Sequence, residues 1–167
     1  NKDARFCITD FPGRYSLLSF SGEEAVTREC LIQNQNDCVV IVVDCGVIER
    51  NLSFALQVLS VTKNAVLCLN LCDEAEKNGI KIDCDELSLN LGIPVVKTCA
   101  TDKKGLDELK KAIYNVCSGK TKCFRVERNF EGVDILSEKN YKQNIEKLSQ
   151  IGNKISSDCV KYEKSEL

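Results

Sequence analysis

Short apolar runs alternate with amphipathic stretches along this chain. Asp37 to Asp44 is almost wholly apolar and β-branched, the pattern of a strand covered on both faces. Arg5 to Thr9, Ala65 to Leu69 and Val95 to Thr98 read as further strands, the last opened by Pro94, a tolerated strand-start position. Between them, helical spacing of apolar residues predicts helices. They cover Glu23 to Ile32 with Ser21 placed to cap, Leu52 to Thr62, Glu74 to Asn78 closed by Gly79, Asp83 to Leu91 ended by Gly92, and Leu106 to Val116. Strands alternating with helices, the strands too apolar for an open face, predict an α/β fold with a doubly wound, mostly parallel sheet.

The pattern changes after Cys117. Ser118 to Glu131 is polar and irregular and reads as a connector. Leu136 to Ile155 resumes helical spacing through Tyr141, Ile145, Leu148, Ile151 and Ile155. One helix cannot build a core, so it either packs on the first unit or belongs to a larger bundle. The expected division is 1–118 for the α/β domain and 119–167 for a connector and partial helical appendage.

Composition narrows the class. The chain has 167 residues, 43% hydrophobic and 29% charged, as a soluble globular protein does. A net charge of −2 with interspersed bases gives no electrostatic case for nucleic acid, and no run is long enough to cross a bilayer. Lys103-Lys104 and Lys110-Lys111 read as solvated helix faces. Eleven cysteines without a Cys-x-x-Cys pair, in a chain without His, argue against a zinc site. Cys7, Cys38 and Cys68 fall in apolar strands, and reduced core thiols are the expected state. The chain opens on Asn directly before a strand, which reads as a piece of something longer.

Three motifs fall at strand ends, where open parallel sheets bind ligands. Asp10-Phe11-Pro12-Gly13 offers a carboxylate for magnesium through water and a glycine whose N–H approaches a terminal phosphate. Taken alone it is an ordinary turn. Asn70-Leu71-Cys72-Asp73 offers a carboxylate able to accept from both N1–H and the amino group of guanine, a pair that adenine lacks. Taken alone, its polar residues cap the helix that follows. Thr98-Cys99-Ala100 supplies backbone N–H groups at the third strand end. Together, in this order, they match how a Ras-like GTPase touches γ-phosphate, guanine edge and guanine carbonyl. No Gly-x-x-x-x-Gly-Lys-Ser/Thr phosphate loop occurs in the sequence.

Those residues are similar to the GTPase domain of the ferrous iron transport protein B (FeoB) family. The resemblance runs over about residues 3–117. It is carried by Asp10-Phe-Pro-Gly-Arg-Tyr-Ser-Leu17, Val42-Val43-Asp44 with Glu49-Arg50-Asn51-Leu52 and Leu56-Gln57, and Asn70-Leu-Cys-Asp73-Glu-Ala-Glu76 with Gly79-Ile-Lys-Ile-Asp83. Leu91-Gly-Ile-Pro-Val-Val96 and Gly105-Leu-Asp-Glu-Leu109 complete it. Tyr141 to Leu148 resembles the start of the family's helical domain.

The resemblance implies a Ras-like P-loop GTPase fold, N-terminally truncated. It also implies a GTP-hydrolysing cytosolic region of an Fe²⁺ transporter at the cytoplasmic face of the cell membrane, with the membrane transport domain of the same protein as partner. It assigns Asp10 to Mg²⁺, Gly13 to the γ-phosphate of GTP, Asn70 and Asp73 to the base of GTP or GDP, and Cys99 and Ala100 to guanine O6. Cys99 stands where Ser is usual, Arg14 where Thr is usual, and no glutamine follows Gly13, so no catalytic base is assigned. Without a phosphate loop, the chain is expected to bind nucleotide poorly and either to self-associate or to rearrange its sheet. The alternatives are a degenerate, non-enzymatic G-like module that binds a partner, and a flavodoxin-like regulator.

Overall fold

The computed structural model describes residues 5–11, 23–33, 36–134 and 137–163. Helix α1 (Glu23–Ile32) precedes strand β1 (Val39–Asp44), a 3-10 turn (Cys45–Val47) and α2 (Ile48–Val61). Next come β2 (Ala65–Asn70), α3 (Cys72–Lys77), β3 (Ile80–Ile82), α4 (Cys84–Leu91), β4 (Val95–Lys97) and α5 (Leu106–Cys117). The chain ends in α6 (Tyr141–Cys159) and β5 (Val160–Tyr162). Strands β1, β2 and β4 form a parallel sheet in the order β1-β2-β4. The β1–β2 register runs from Val39 opposite Ala65 to Asp44 opposite Asn70, so both strands end at one level.

The alternation of strand side chains sorts the core into two faces. Ile41 and Val43 of β1 and Ala65, Leu67 and Leu69 of β2 join the main apolar cluster with Leu52, Ala55, Leu56 and Leu59 of α2. Val66 and Cys68 point the other way and are also buried. Helix α5 packs on β2 and β4. Its cover stops short of β1, where Val40 and Val42 are exposed, Val42 by 61%. The expectation that this strand is covered on both faces is therefore corrected: among the described residues one face of β1 is open.

The predicted strand at Arg5 to Thr9 is also corrected. Residues 5–11 have no regular structure, and Ile8 is 87% exposed. Among the described residues no strand lies along the outer edge of β1. A strand without a neighbour has no ladder to satisfy its backbone, so apolar alternation alone does not hold it extended. Cys7 is accordingly exposed rather than a core residue.

The helices follow their local signals. Asp83 Oδ1 accepts from the N–H of Asp85 (3.1 Å) and of Glu86 (3.0 Å), capping α4. Gly92 ends that helix in the left-handed region at φ +75°. Helix α2 starts four residues before its expected Leu52, taking in Ile48, which is fully buried.

Helix α6 packs along α2, so it rests on the first unit. The contact is close at Gly152, where a Cβ would lie 3.1 Å from the Ser53 nitrogen. Leu148 and Ile155 enter the same cluster as β1 and β2. Strand β5 then pairs antiparallel with β3, Ile80 opposite Tyr162, a two-stranded ribbon that the sequence pattern missed. The connector is pinned by polar contacts. Arg125 Nη1 donates to Ser60 O (3.0 Å), Asn129 Nδ2 to Asn90 O (2.8 Å) and Asn144 Nδ2 to Asp134 O (2.6 Å). No helix among the described residues is long and apolar enough to cross a membrane.

Candidate functional site at the carboxyl ends of the strands

Strand β2 ends at Asn70, and the chain turns into α3 through Leu71, which sits in the left-handed region at φ 60°. A non-glycine residue there is uncommon and costs about 1 kcal/mol or more. Leu71 occupies the N-cap position without a side-chain cap, and Asn70 Oδ1 is engaged with Thr98 and Ala100 rather than with α3.

Asn70 acts as a clamp across the sheet. Its Oδ1 accepts from Thr98 Oγ1 (3.1 Å) and from Ala100 N–H (3.1 Å). Thr98 Oγ1 is also 3.2 Å from Leu69 O, and Thr98 N–H is donated to that same carbonyl at 2.6 Å. The Cys72 N–H reaches Thr98 O at 3.3 Å. The Asn-x-x-Asp turn and the Thr-Cys-Ala segment are thus one unit. Residues 99–104 form a tight reversal, with Cys99 and Lys104 exchanging both backbone hydrogen bonds at 3.1 Å. Gly105 closes it at φ +76°, where a Cβ would lie only 2.1 Å from Lys97 O.

The reversal brings Asp73, Cys99 and Asp102 together, their ligand atoms within 4.8 Å of one another. The Asp73 side chain is 30% exposed, with Lys77 Nζ 3.9 Å from Oδ2. Its Oδ1 is buried and has no hydrogen-bond partner. The Cys99 thiol lies beside this carboxylate and also 3.3 Å from Thr101 Oγ1. One S–H serves one acceptor at a time, and a weak one, so Oδ1 keeps capacity for a better donor. The Cys99 thiol, the N–H groups of Glu74 and Asp73 and the Lys77 charge hold the Asp73 carboxyl below the usual range, against the opposing effect of desolvation. Asp73 is therefore an ionised acceptor at neutral pH.

Four of the six candidate residues, Asn70, Asp73, Cys99 and Ala100, meet at one end of the sheet. Asp10 is exposed in the irregular 5–11 segment and joins no ligand cluster among the described residues. Gly13 lies outside the described residues, as do Arg14 and the segment around it. Sequence reasoning missed the Thr98 hydroxyl as the second donor to Asn70, although it adjoins a residue singled out. It also missed Asp102, which only the Cys99–Lys104 reversal carries to Asp73.

One pair departs from the expectation of free thiols. Cys45, just past β1, and Cys72, at the start of α3, are joined as a disulfide with Cα atoms 5.5 Å apart. They are 27 residues apart in sequence, and only the β1–β2 register reveals their proximity. The other nine cysteines are free.

A parallel α/β sheet that gathers an Asn-x-x-Asp turn and a Thr-Cys-Ala loop at its carboxyl edge defines a domain of the Ras-like P-loop GTPase fold. The likenesses to known proteins agree. The structure superposes on the cytosolic domain of the T. maritima FeoB iron transporter in a GDP form, with a TM-score of 0.76 and 26% identity over 91% of this chain and 79% of that one. It superposes on the FeoB G-domain from Methanococcus jannaschii with a TM-score of 0.62 and 42% identity, covering 65% of this chain and 70% of that one.

The family model for ferrous iron transport protein B matches residues 1–113, and the chain belongs to that family. The Fe(2+) transporter FeoB of Campylobacter jejuni is 42% identical over 112 residues, 67% of this chain and 18% of the relative. That of Helicobacter pylori is 42% identical over 104 residues, 62% of this chain and 16% of the relative. The chain therefore spans less than a fifth of the length of these relatives. Neither the flavodoxin-like nor the non-enzymatic alternative is favoured by these matches.

Proposed function

We propose that this chain is the guanine-recognising part of the GTP-binding region of a ferrous iron transporter, with Asp73 selecting the base. The observation that carries the reading is an ionised Asp73 carboxylate, weakly served by the Cys99 thiol, beside a loop clamped by Asn70. An ionised acceptor held only by weak or strained donors is better met by a ligand that supplies strong ones. Guanine supplies two, from N1–H and the 2-amino group. Rotation about the broad Asp χ2 torsion brings both carboxylate oxygens to face them. Adenine offers no such pair, and leaving the carboxylate unmatched is the source of discrimination.

The clamp sets the other half of the site. Ala100 N–H is held by Asn70 Oδ1. A guanine O6 arriving between Cys99 and Ala100 takes over that N–H, and the Asn70 side chain remains bound to Thr98. Asn70 is thus a positioning residue as much as a ligand. Cys99 contributes backbone and a weakly donating thiol where the family usually has serine.

GTP and GDP are the proposed ligands, with Asp10 serving Mg²⁺ through water and Gly13 approaching the γ-phosphate. An exposed lone carboxylate suits an outer-sphere role, because magnesium keeps most of its waters. Bound magnesium supplies charge neutralisation at the phosphates. Residues 1–118 form the G domain in this reading, and 119–167 the beginning of a helical region that leads to the membrane transport domain of the same protein, at the cytoplasmic face of the cell membrane. The open face of β1, with Val40 and Val42 exposed, supports self-association of the isolated chain.

The test is a titration with fluorescent GDP of this chain beside one extended through a family phosphate loop. The extended chain binds guanine over adenine nucleotide, and Asp73→Asn shifts preference toward xanthine, whose 2-carbonyl accepts where guanine donates. Equal strong binding by both chains, or unchanged preference in Asp73→Asn, overturns the reading.

A further inference from the structure

The structure assigns a redox modification site to Cys45 and Cys72: we propose that their thiols and disulfide interconvert and that the disulfide latches the turn bearing Asp73 to the end of β1. The geometry begins with the sheet. Asp44 and Asn70 are opposite one another in the β1–β2 register, so Cys45 and Cys72 lie one and two residues past a shared end. Their Cα separation of 5.5 Å is within the range a disulfide spans without backbone movement. Every other pairing among the described cysteines is unbonded.

The same geometry accommodates the reduced state. The Cys72 sulfur is 3.2 Å from Leu69 O, so a thiol there has an acceptor and is not left as an orphaned donor. The Cys72 sulfur thus has a place in either state, bonded to Cys45 or donating as a thiol to Leu69 O. Cys72 precedes Asp73 directly and follows Leu71, the left-handed residue that aims α3. Helix α3 has only six residues, too few to be rigid by itself. The disulfide replaces a hydrogen bond to its own strand with a covalent tie to the neighbouring one.

Oxidation by a peroxide balances without other reactants. One sulfur attacks the O–O bond of hydrogen peroxide and becomes a sulfenic acid, releasing one water after proton transfer. The second thiol condenses with it, expelling a second water and forming S–S. Two thiols are oxidised by two electrons and one peroxide is reduced. A dithiol reductant reverses the step by exchange. Both cysteines are buried, Cys45 wholly so, and oxidant and reductant reach the pair when the short α3 turn opens locally.

Only the consequence for guanine rests on the proposed function, because the test reads the turn itself. The 167-residue chain is compared in its dithiothreitol-reduced and peroxide-treated states. Differential alkylation is expected to place the loss of two hydrogens at Cys45 and Cys72. Amide exchange across 72–77 slows at least tenfold, thermal unfolding rises by about 10 °C, and dithiothreitol reverses all three. Cys45→Ala removes the redox dependence of exchange at 72–77 while its far-ultraviolet spectrum stays that of the parent. If that variant does not fold, the two states of the parent chain still decide the matter. Cys45 and Cys72 remaining alkylatable on denaturation after exposed Cys117 has been oxidised overturns the proposal. So does a formed disulfide that leaves exchange at 72–77 unchanged. Either failure leaves guanine selection by Asp73 standing, and loss of that selection leaves the disulfide result standing.

Discussion

Replacing Asn70 with alanine removes the acceptor that ties the Asn-x-x-Asp turn to the Thr-Cys-Ala loop, and its cost can be worked bond by bond. Two hydrogen bonds of 3.1 Å are lost, from Thr98 Oγ1 and from Ala100 N–H. They are not equivalent. Thr98 is buried, but its hydroxyl has Leu69 O at 3.2 Å as a second acceptor, so its donor is re-satisfied inside the protein. Ala100 is exposed, so water replaces Asn70 at its N–H. Neither donor is orphaned, and the full desolvation penalty is avoided. The net loss is about one ordinary hydrogen bond less a smaller entropy gain in the freed loop, or about 1 kcal/mol. For a chain of this size that lowers the unfolding temperature by about 3 °C. Urea and thermal unfolding measure the first quantity, and amide exchange at Ala100 measures the local one, expected to accelerate more than the global loss explains. An unchanged Ala100 exchange rate, or a loss above about 4 kcal/mol, would refute this accounting.

Gly105→Ala places a Cβ 2.1 Å from Lys97 O at φ +76°, and is expected to cost about 2–4 kcal/mol in urea unfolding. Ser156→Ala deletes a buried hydroxyl oxygen that has no partner, and is expected to stabilise by about 1 kcal/mol in the same assay. Cys38 has its thiol pushed up to about 12, first by burial and then by the neighbouring Cys117, Cys123 and Asp37. A raised thiol pKa keeps the neutral form dominant through pH 9, so its alkylation at pH 8 should run about 10³-fold slower than that of an ordinary cysteine, read by mass spectrometry.

What was legible in the sequence was local. Helix α1 spans the predicted Glu23–Ile32 because its ends and spacing are properties of that stretch alone. Helix α4 starts and stops where Asp83 and Gly92 say it must. The candidate base site was legible because its two halves each follow a strand, and a parallel sheet sets strand ends side by side. What was not legible depended on neighbours. The apolar alternation at Arg5 to Thr9 predicts a strand only if another strand lies beside it. Strands β3 and β5 are three residues each and far apart in sequence, held by pairing rather than propensity. The contact of Cys45 with Cys72, and of Asp102 with Asp73, follows from register and from a loop reversal, neither of which leaves a periodic mark.

Asp73 and the loop clamped by Asn70 form the proposed guanine site. A weak site is still visible to nuclear magnetic resonance, so the direct measurement is a titration of the ¹⁵N-labelled 167-residue chain with GDP and, separately, ADP at millimolar concentration. GDP is expected to move the amides of Asp73, Glu74, Cys99 and Ala100 together, ADP to leave them in place, and Asp73→Asn to abolish the difference. Equal shifts with both nucleotides, or GDP shifts confined to residues away from this end of the sheet, would contradict the proposed guanine site.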